Sequence, residues 1–265
     1  MKFANVSVVI PYYNNSSTIC RTLSSVYNQT VLPKEVIIVD DNSKKNENKK
    51  LKNILNKYNN KKINKVLINI KKNSGPATAR NIGWNKSSCK YIAFLDSDDS
   101  WHIKKIELQY NIMEKNKLSF TSHYSTSKYS NTFNNYKNNN EFKKISLLKM
   151  LFFNQFTTPT VMLLRNINLR FEDKKYYTED YLLWLEILIS GTKMYLIKKT
   201  LTYLHKPSIG FSGLSKNINA MRKGELDSFY ILFKKKKINK FLFYILVIYS
   251  HIKSIRRTLF IDVIK

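Results

Sequence analysis

Three aspartates, Asp96, Asp98 and Asp99, fall within YIAFLDSDDSW, straight after an apolar run, in a chain with 46 Lys and Arg against 18 Asp and Glu. In an extended chain the Asp-x-Asp spacing of Asp96 and Asp98 directs both carboxylates to one side. Like charges this close repel unless something positive lies between them. Hard divalent cations take oxygen ligands, so a Mg²⁺ or Mn²⁺ ion bridging to a diphosphate is the natural resolution. Two further acidic pairs stand out: Asp40 and Asp41 end VIIVDD, and Glu179 and Asp180 open TEDYLLWLEIL. Asp-x-Asp alone recurs in surface loops, and here its place behind an apolar run gives it weight.

Four short apolar runs, at residues 6–10, 36–39, 66–70 and 91–95, are rich in β-branched residues and followed by polar turn formers, which predicts strands. Helix-like segments separate them. The first carries Ile19, Leu23 and Val26 on one face behind Ser16, Ser17 and Thr18, which can cap it. Such alternation predicts a largely parallel, doubly wound sheet over the first hundred residues. Sheets of this kind bind ligands at the carboxyl ends of their strands. The residues there are Pro11 to Asn14, Asp40 to Ser43, Asn73 to Gly75, and Asp96 to Asp99, so up to five carboxylates converge on one edge.

Beyond Trp101, a helix is expected with Ile103, Ile106, Tyr110 and Met113 on one face. Residues 121–144 read as a polar loop or weak hairpin. ISLLKMLFFNQF is a helix candidate, TPTVMLLR a strand, and TEDYLLWLEILIS a helix ended by Gly191; KMYLI and LTYLHK read as two short strands. From about residue 216 the chain is basic and amphipathic. Ile245, Tyr249, Ile252, Ile255 and Leu259 can share a stripe flanked by Lys253, Arg256 and Arg257, suited either to packing on the main domain or to an anionic membrane surface.

With 265 residues, 43% of them hydrophobic, the chain can bury a sizeable core. Its net charge of +28 implies a polyanionic partner: nucleic acid, an anionic membrane face or a phosphorylated substrate. Part of that charge lies in Lys- and Asn-rich stretches such as KKNENKKLKNILNKYNNKK, which read as solvated faces. Cys20 and Cys89 are too few for a disulfide framework and lack metal-ligand spacing, which points to a reducing compartment. The N-terminus reads as a first strand rather than a signal peptide. FLFYILVIY, the longest apolar run, is about half the length a spanning helix needs.

Taken in order, VSVVIPYYN, VIIVDDNS, NSGPATARNIG, YIAFLDSDDSW and TEDYLLWLEIL resemble glycosyltransferase family 2, the inverting, nucleotide-sugar-dependent enzymes of GT-A fold, over residues 5–190. The resemblance implies an α/β, Rossmann-like, mostly parallel central sheet flanked by helices, with a basic helical C-terminal extension. Residues 1–100 would form the nucleotide-sugar half, 101–215 the acceptor and catalytic-base half of the same domain, and 216–265 the extension. Asp40 and Asp41 would meet the ribose and uracil, with Asp41 favoured for the base, and Arg80 would touch the nucleotide. Pro11 and Tyr13 would line its pocket. Asp98 would be the main ligand of a Mn²⁺ or Mg²⁺ ion, with Asp96 beside it reaching the ribose or sugar. Asp99 would touch sugar or else orient Arg80 or a backbone amide. Asp180 would be the catalytic base, with Glu179 as its rival. His205 would approach the diphosphate or metal, or else be structural. Trp84, Trp101 and Trp184 read mainly as packing residues.

The implied donor is a nucleotide-sugar, with UDP favoured. The implied acceptor is a lipid-diphosphate-linked saccharide in surface polysaccharide synthesis (O-antigen, capsule or lipooligosaccharide), which suits a cytoplasmic protein held peripherally at the inner membrane face. A homodimer through the C-terminal helices is compatible with the sequence. The chemistry agrees: negative charge grows on the β-phosphate oxygen as the glycosidic bond breaks, where a cation stabilises the transition state, and one carboxylate suffices to take the acceptor proton. Two rival readings remain: a basic nucleic-acid-binding protein, against which the acids at four strand ends argue, and a sugar-nucleotide-binding module without turnover.

Overall fold

Each of the four apolar runs forms a strand; the first, second and fourth are buried on both faces of one sheet, while the third, at its edge, is half-buried. The computed structural model describes residues 2–58, 62–127, 141–206 and 217–264. Strands β1 (Lys2–Tyr12), β2 (Val31–Asp40), β3 (Asn64–Asn69) and β4 (Tyr91–Phe94) are mutually parallel in the order β3-β2-β1-β4. Val8, Val9 and Ile10, and Val36 to Val39, are wholly buried, which is why these strands read as continuous apolar runs rather than alternating ones. Helices α1 (Ile19–Tyr27), α2 (Lys45–Lys57) and α3 (Gly75–Lys86) make the crossovers. Tyr12 lies opposite Asp40, and the Asp41 N–H donates to the Tyr12 carbonyl at 2.8 Å, so two polar strand ends are side by side.

Close packing seats α3 on the sheet. A Cβ on Gly83 would lie 2.4 Å from Val9 Cγ1, so the glycine of ARNIG lets helix and strand approach, with Arg80 one turn earlier on the same helix.

Past residue 100 the sheet becomes mixed. The elements are β5 (Ser100–Trp101), α4 (Lys105–Asn116), β6 (Phe120–Thr126), β7 (Phe142–Lys144), α5 (Leu147–Phe152), a 3₁₀ turn (Thr158–Thr160), β8 (Met162–Leu164), α6 (Glu179–Ile189) and β9 (Met194–Tyr203). β8 runs antiparallel to both β4 and β6, β6 is parallel to β9, and β5 and β7 join β9 antiparallel. Trp84, Phe94, Phe120, Phe171 and Trp184 pack together on one face; on the other, Val8, Ile10, Ile19, Leu23 and Ile106 form a second core.

Several expectations need correction. KMYLI and LTYLHK are one strand, β9: Lys198, Lys199 and Thr200 interrupt the apolar pattern, but register shifts against β6 absorb them without breaking the strand. TPTVMLLR begins as a 3₁₀ turn and only its end is a strand, while ISLLKMLFFNQF is helical over six residues. Ile103 precedes α4 and is exposed. Thr18 makes no side-chain cap on α1; its hydroxyl is used elsewhere. The segment read as a polar loop includes β6 from its second residue onward and all of β7, and its residues 128–140 lie outside the described residues.

Two C-terminal helices, α7 (Ile218–Lys234) and α8 (Lys240–Ile264), complete the chain. α7 braces the turn before α6. Thr178 has a left-handed backbone (φ 56°), and its hydroxyl meets the Ser228 hydroxyl at 3.1 Å. Gly224 approaches Tyr177 so closely that a Cβ would lie 2.7 Å from the tyrosine Cβ, and Lys175 donates to the Gly224 carbonyl at 2.9 Å. On α8 the buried positions are Leu246, Ser250 and Ser254, and the exposed apolar stripe is Phe241, Tyr244, Ile248, Ile252 and Ile255. The expected stripe is therefore rotated: Ile245 and Tyr249 are half-buried on its flank, and the side chains of Arg257 and Leu259 lie outside the described residues. Among the described residues no helix is long and apolar enough to cross a membrane.

Candidate active site

At the carboxyl ends of β1, β2 and β4 lies a cavity of about 350 Å³, lined among others by Pro11, Tyr13, Asp41, Arg80, Asp96 and Asp98. Six of the expected residues thus share one space. Asn73, Gly75 and Tyr176 add to its walls. Tyr13 and Tyr176 are 51% and 42% exposed, giving the pocket two accessible aromatic faces of the kind that accept a planar base. Tyr176 was missed in the sequence; its only signal is the YYTED run before Asp180.

The D-x-D segment is held from behind by α1. Asn15 donates to the Ser97 hydroxyl at 2.9 Å, and the Thr18 hydroxyl donates to the Ser97 carbonyl at 2.7 Å. Arg21 and Thr22 donate to the carbonyls of Asp98 and Asp99 at 2.6 and 2.8 Å. Thr18, Arg21 and Thr22 have i, i+3, i+4 spacing, one helix face aimed at the acidic loop. That polar face was legible in the sequence, but nothing local says what it meets.

Every acid here has a partner. Arg80, buried in α3, donates to Asp96 and to Glu179, both at 2.7 Å. Burial alone would weaken its charge, but the two carboxylates outweigh it and hold the guanidinium protonated. Asp98 pairs with Lys206 at 2.6 Å. The acidic cluster is therefore partly offset by two of the protein's own cations, one buried and one half-exposed.

Asp180 opens α6 with Glu179, near Arg80 and Asp96. Burial raises its pKa, opposed by Arg80, by the Tyr181 N–H and by the Thr158 hydroxyl, which donates to Asp180 at 3.1 Å. Glu179 is pushed up to about 7, chiefly by burial. Because its oxygen is spent on Arg80, Asp180 is the better placed of the two to take a proton.

The remaining expected residues are placed differently. Asp40 does not line the cavity; it accepts from the Ser43 N–H at 3.0 Å and from Asn48 at 2.5 Å, holding the turn after β2. Asp41 accepts from the N–H groups of Ser74 and Gly75, both at 2.8 Å, tying β2 to the start of α3, and burial raises its pKa. Asp99 is buried behind the loop, accepts from the His205 N–H at 3.3 Å and is pushed up to about 8 by burial and by Asp96 and Asp98. His205 bonds the Ser100 hydroxyl through Nε2 at 2.7 Å and faces a neighbouring cavity of about 620 Å³ with Arg21 and Trp101. Trp84 and Trp184 are wholly buried; Trp101 is largely buried, its indole donating to the Pro159 carbonyl at 2.8 Å.

Among the described residues no three His, Cys, Asp or Glu side chains gather as a metal site. The donor set of Asp96 and Asp98 nevertheless suits Mg²⁺ or Mn²⁺, which are commonly held by one or two carboxylates with substrate phosphates completing the shell.

A family model described as Glycosyl transferase family 2 matches residues 7–174. An uncharacterized glycosyltransferase of Rickettsia bellii is 43% identical over 46% of this chain, and the chain spans only 17% of that relative's length. The Escherichia coli UDP-Glc:alpha-D-GlcNAc-diphosphoundecaprenol beta-1,3-glucosyltransferase WfgD is 35% identical over 69% of each chain. Among solved structures, Staphylococcus aureus TarS 1-349 in complex with UDP-GlcNAc aligns with a TM-score of 0.64 at 21% identity, covering 86% of this chain and 66% of that one. The mannosyltransferase PcManGT of Pyrobaculum calidifontis, in complex with GDP-Man and Mn²⁺, aligns with a TM-score of 0.64 at 13% identity, covering 88% of this chain and 65% of that one. At those identities the structures speak for the fold, which is GT-A.

Proposed function

The chain belongs to glycosyltransferase family 2, and on that premise we propose that it moves one sugar from a nucleotide-sugar to a hydroxyl of a lipid-diphosphate-linked saccharide, with inversion. The observation that supports this is the bridge from Asp96, in the cavity wall, through Arg80 to Glu179, the chain neighbour of Asp180. The nucleoside lies between Tyr13 and Tyr176, with the backbone around Asp41 and Gly75 closing the pocket. A UDP donor is favoured because a relative 35% identical is named for UDP-Glc; that name also supports the acceptor class and a place in surface polysaccharide synthesis.

Asp98 and Asp96 would hold a divalent ion, which when bound would supply positive charge for the departing diphosphate. Lys206, paired with Asp98, adds a protein cation at the same place. Asp180 takes the proton of the acceptor hydroxyl as that oxygen bonds the anomeric carbon and the bond to the β-phosphate oxygen breaks. Burial suits it to the task by lifting its pKa toward the working range. Arg80 positions both acids and keeps Glu179 from competing.

The test is a thermal-shift panel of UDP- and GDP-sugars with and without Mn²⁺. A metal-dependent rise in melting temperature with a UDP-sugar is expected through mass action. No shift with any nucleotide-sugar, alongside salt-sensitive retention on single-stranded DNA, would overturn the reading in favour of nucleic-acid binding.

A further inference from the structure

Among the described residues, most of the exposed large apolar side chains lie on or next to two elements that touch. α8 shows Phe241, Tyr244, Ile248, Ile252 and Ile255 at steps of three and four residues, one continuous stripe along the outer face of the helix. α5 shows Leu147 and Leu148, and Phe153 follows directly after it. The rings of Phe152 and Phe153 pack edge-on against Tyr249 of α8, with centroids 4.9 and 5.7 Å away, so α5 abuts the flank of the α8 stripe. Leu148 is 63% exposed and Phe241 75%, unusual for large apolar side chains grouped this closely.

Charge selects the occupant. Lys149, Lys236, Lys240 and Arg256 are exposed around these elements, with no carboxylate partner among the described residues. The nearby acids are already used: Glu225 accepts from Ser250 at 2.6 Å and pairs with Lys253, and Glu186 pairs with Lys235 at 3.1 Å. An apolar stripe with an unneutralised cationic rim fits an anionic lipid surface. A second copy of the chain would bring the same cations, and another +28, against them.

We propose that α5 and α8 together form one lipid-facing surface that seats the protein on anionic membrane, and that α5 sets the position of the catalytic base relative to that surface. The proposal deepens the acceptor reading above and rests on it for its purpose. The link to the base is direct. Tyr181, next to Asp180, donates its hydroxyl to the Leu151 carbonyl of α5 at 2.6 Å, and Thr158, on the segment leaving α5, donates to Asp180 itself. A saccharide on a lipid diphosphate would then meet the base at a fixed height above the headgroups.

Co-sedimentation of the full chain with vesicles tests this, using phosphatidylglycerol-containing vesicles against pure phosphatidylcholine. Binding to the anionic vesicles, weakened by salt, is expected. Ile248→Asp with Ile252→Asp should lower apparent affinity at least about tenfold, and Leu148→Asp should weaken it separately, since each removes a buried aliphatic contact. Unchanged binding by the double variant overturns the proposal, and unchanged binding by Leu148→Asp overturns the share given to α5. A chain that ignores both vesicles, and is a dimer which Ile248→Asp dissociates, assigns the face to a second copy instead. Nucleotide-sugar thermal shifts on the same preparations keep the two readings apart: lost shifts with intact vesicle binding sink the donor site alone, and intact shifts with no vesicle binding sink the surface alone.

Discussion

Arg80 and Glu179 lie 99 residues apart in the chain and meet at 2.7 Å in a buried ion pair, and the other arm of the same guanidinium holds Asp96 at the same distance. One side chain thereby joins the parallel half of the sheet to α6, the helix that carries Asp180, the proposed base. Arg80→Met should cost about 3–5 kcal/mol of stability in urea denaturation, because it strands buried acids, and should abolish transfer. Arg80→Lys cannot span both partners with its single ammonium and should recover little activity.

Asp180→Asn should lower kcat by about 10²–10⁴ while leaving the nucleotide-sugar thermal shift intact. Full activity in that variant would remove the base assignment. Thr158→Val tests the same carboxylate more gently. The Thr158 hydroxyl lowers the Asp180 pKa, so without it the base ionises later, and the acid limb of the kcat profile should move to higher pH.

Lys206 and Asp98 predict a competition. Their ion pair spans 2.6 Å between partly exposed groups. Lys206→Gln leaves the carboxylate without that cation, and Mn²⁺ titrated into nucleotide-free protein should bind up to about fivefold more tightly, the upper range for a surface pair. Free-Mn²⁺ electron paramagnetic resonance reads this without turnover. Unchanged Mn²⁺ affinity in Asp98→Asn, measured the same way, would mean that Asp98 is not a metal ligand.

Gly75 has φ +86°, and a Cβ there would sit 2.8 Å from the Tyr176 ring. Gly75→Ala should destabilise the fold by about 1–3 kcal/mol through backbone strain and push Tyr176 off the pocket. Weaker UDP-sugar binding, read as a smaller thermal shift, should accompany the lower melting temperature.

His123 is buried, and its pKa is pushed down to about 3 by burial and by Lys105, against an ordinary value of 6.5. The folded state thus refuses a proton that the unfolded chain accepts. Its contribution is intact above pH about 6.5 and is lost as pH falls, by up to about 1.4 kcal/mol per pH unit for one proton. Urea titrations of His123→Gln between pH 7 and 4.5 should show a shallower acid loss than the parent protein.

Patterns that repeat within a few residues were legible in the sequence. The apolar runs became β1 to β4, and the acids behind β2 and β4 fell at strand ends, because burial on both faces forces an unbroken run in the inner strands and the chain turns polar where it leaves the sheet. Five motifs in order carried the family. What spacing could not supply was the partner of each polar group: that Asp40 holds a turn while Asp41 lines the pocket, that one face of α1 clamps the acidic loop, or that Arg80 bridges two distant acids. Nor could periodicity fix which side of α8 faces outward, since Ile245 and Ile248 are equally apolar and only packing against the domain separates them. Local order follows from one residue's neighbours in the chain, whereas ion pairs, strained turns and exposed faces arise only when distant segments compete for the same space.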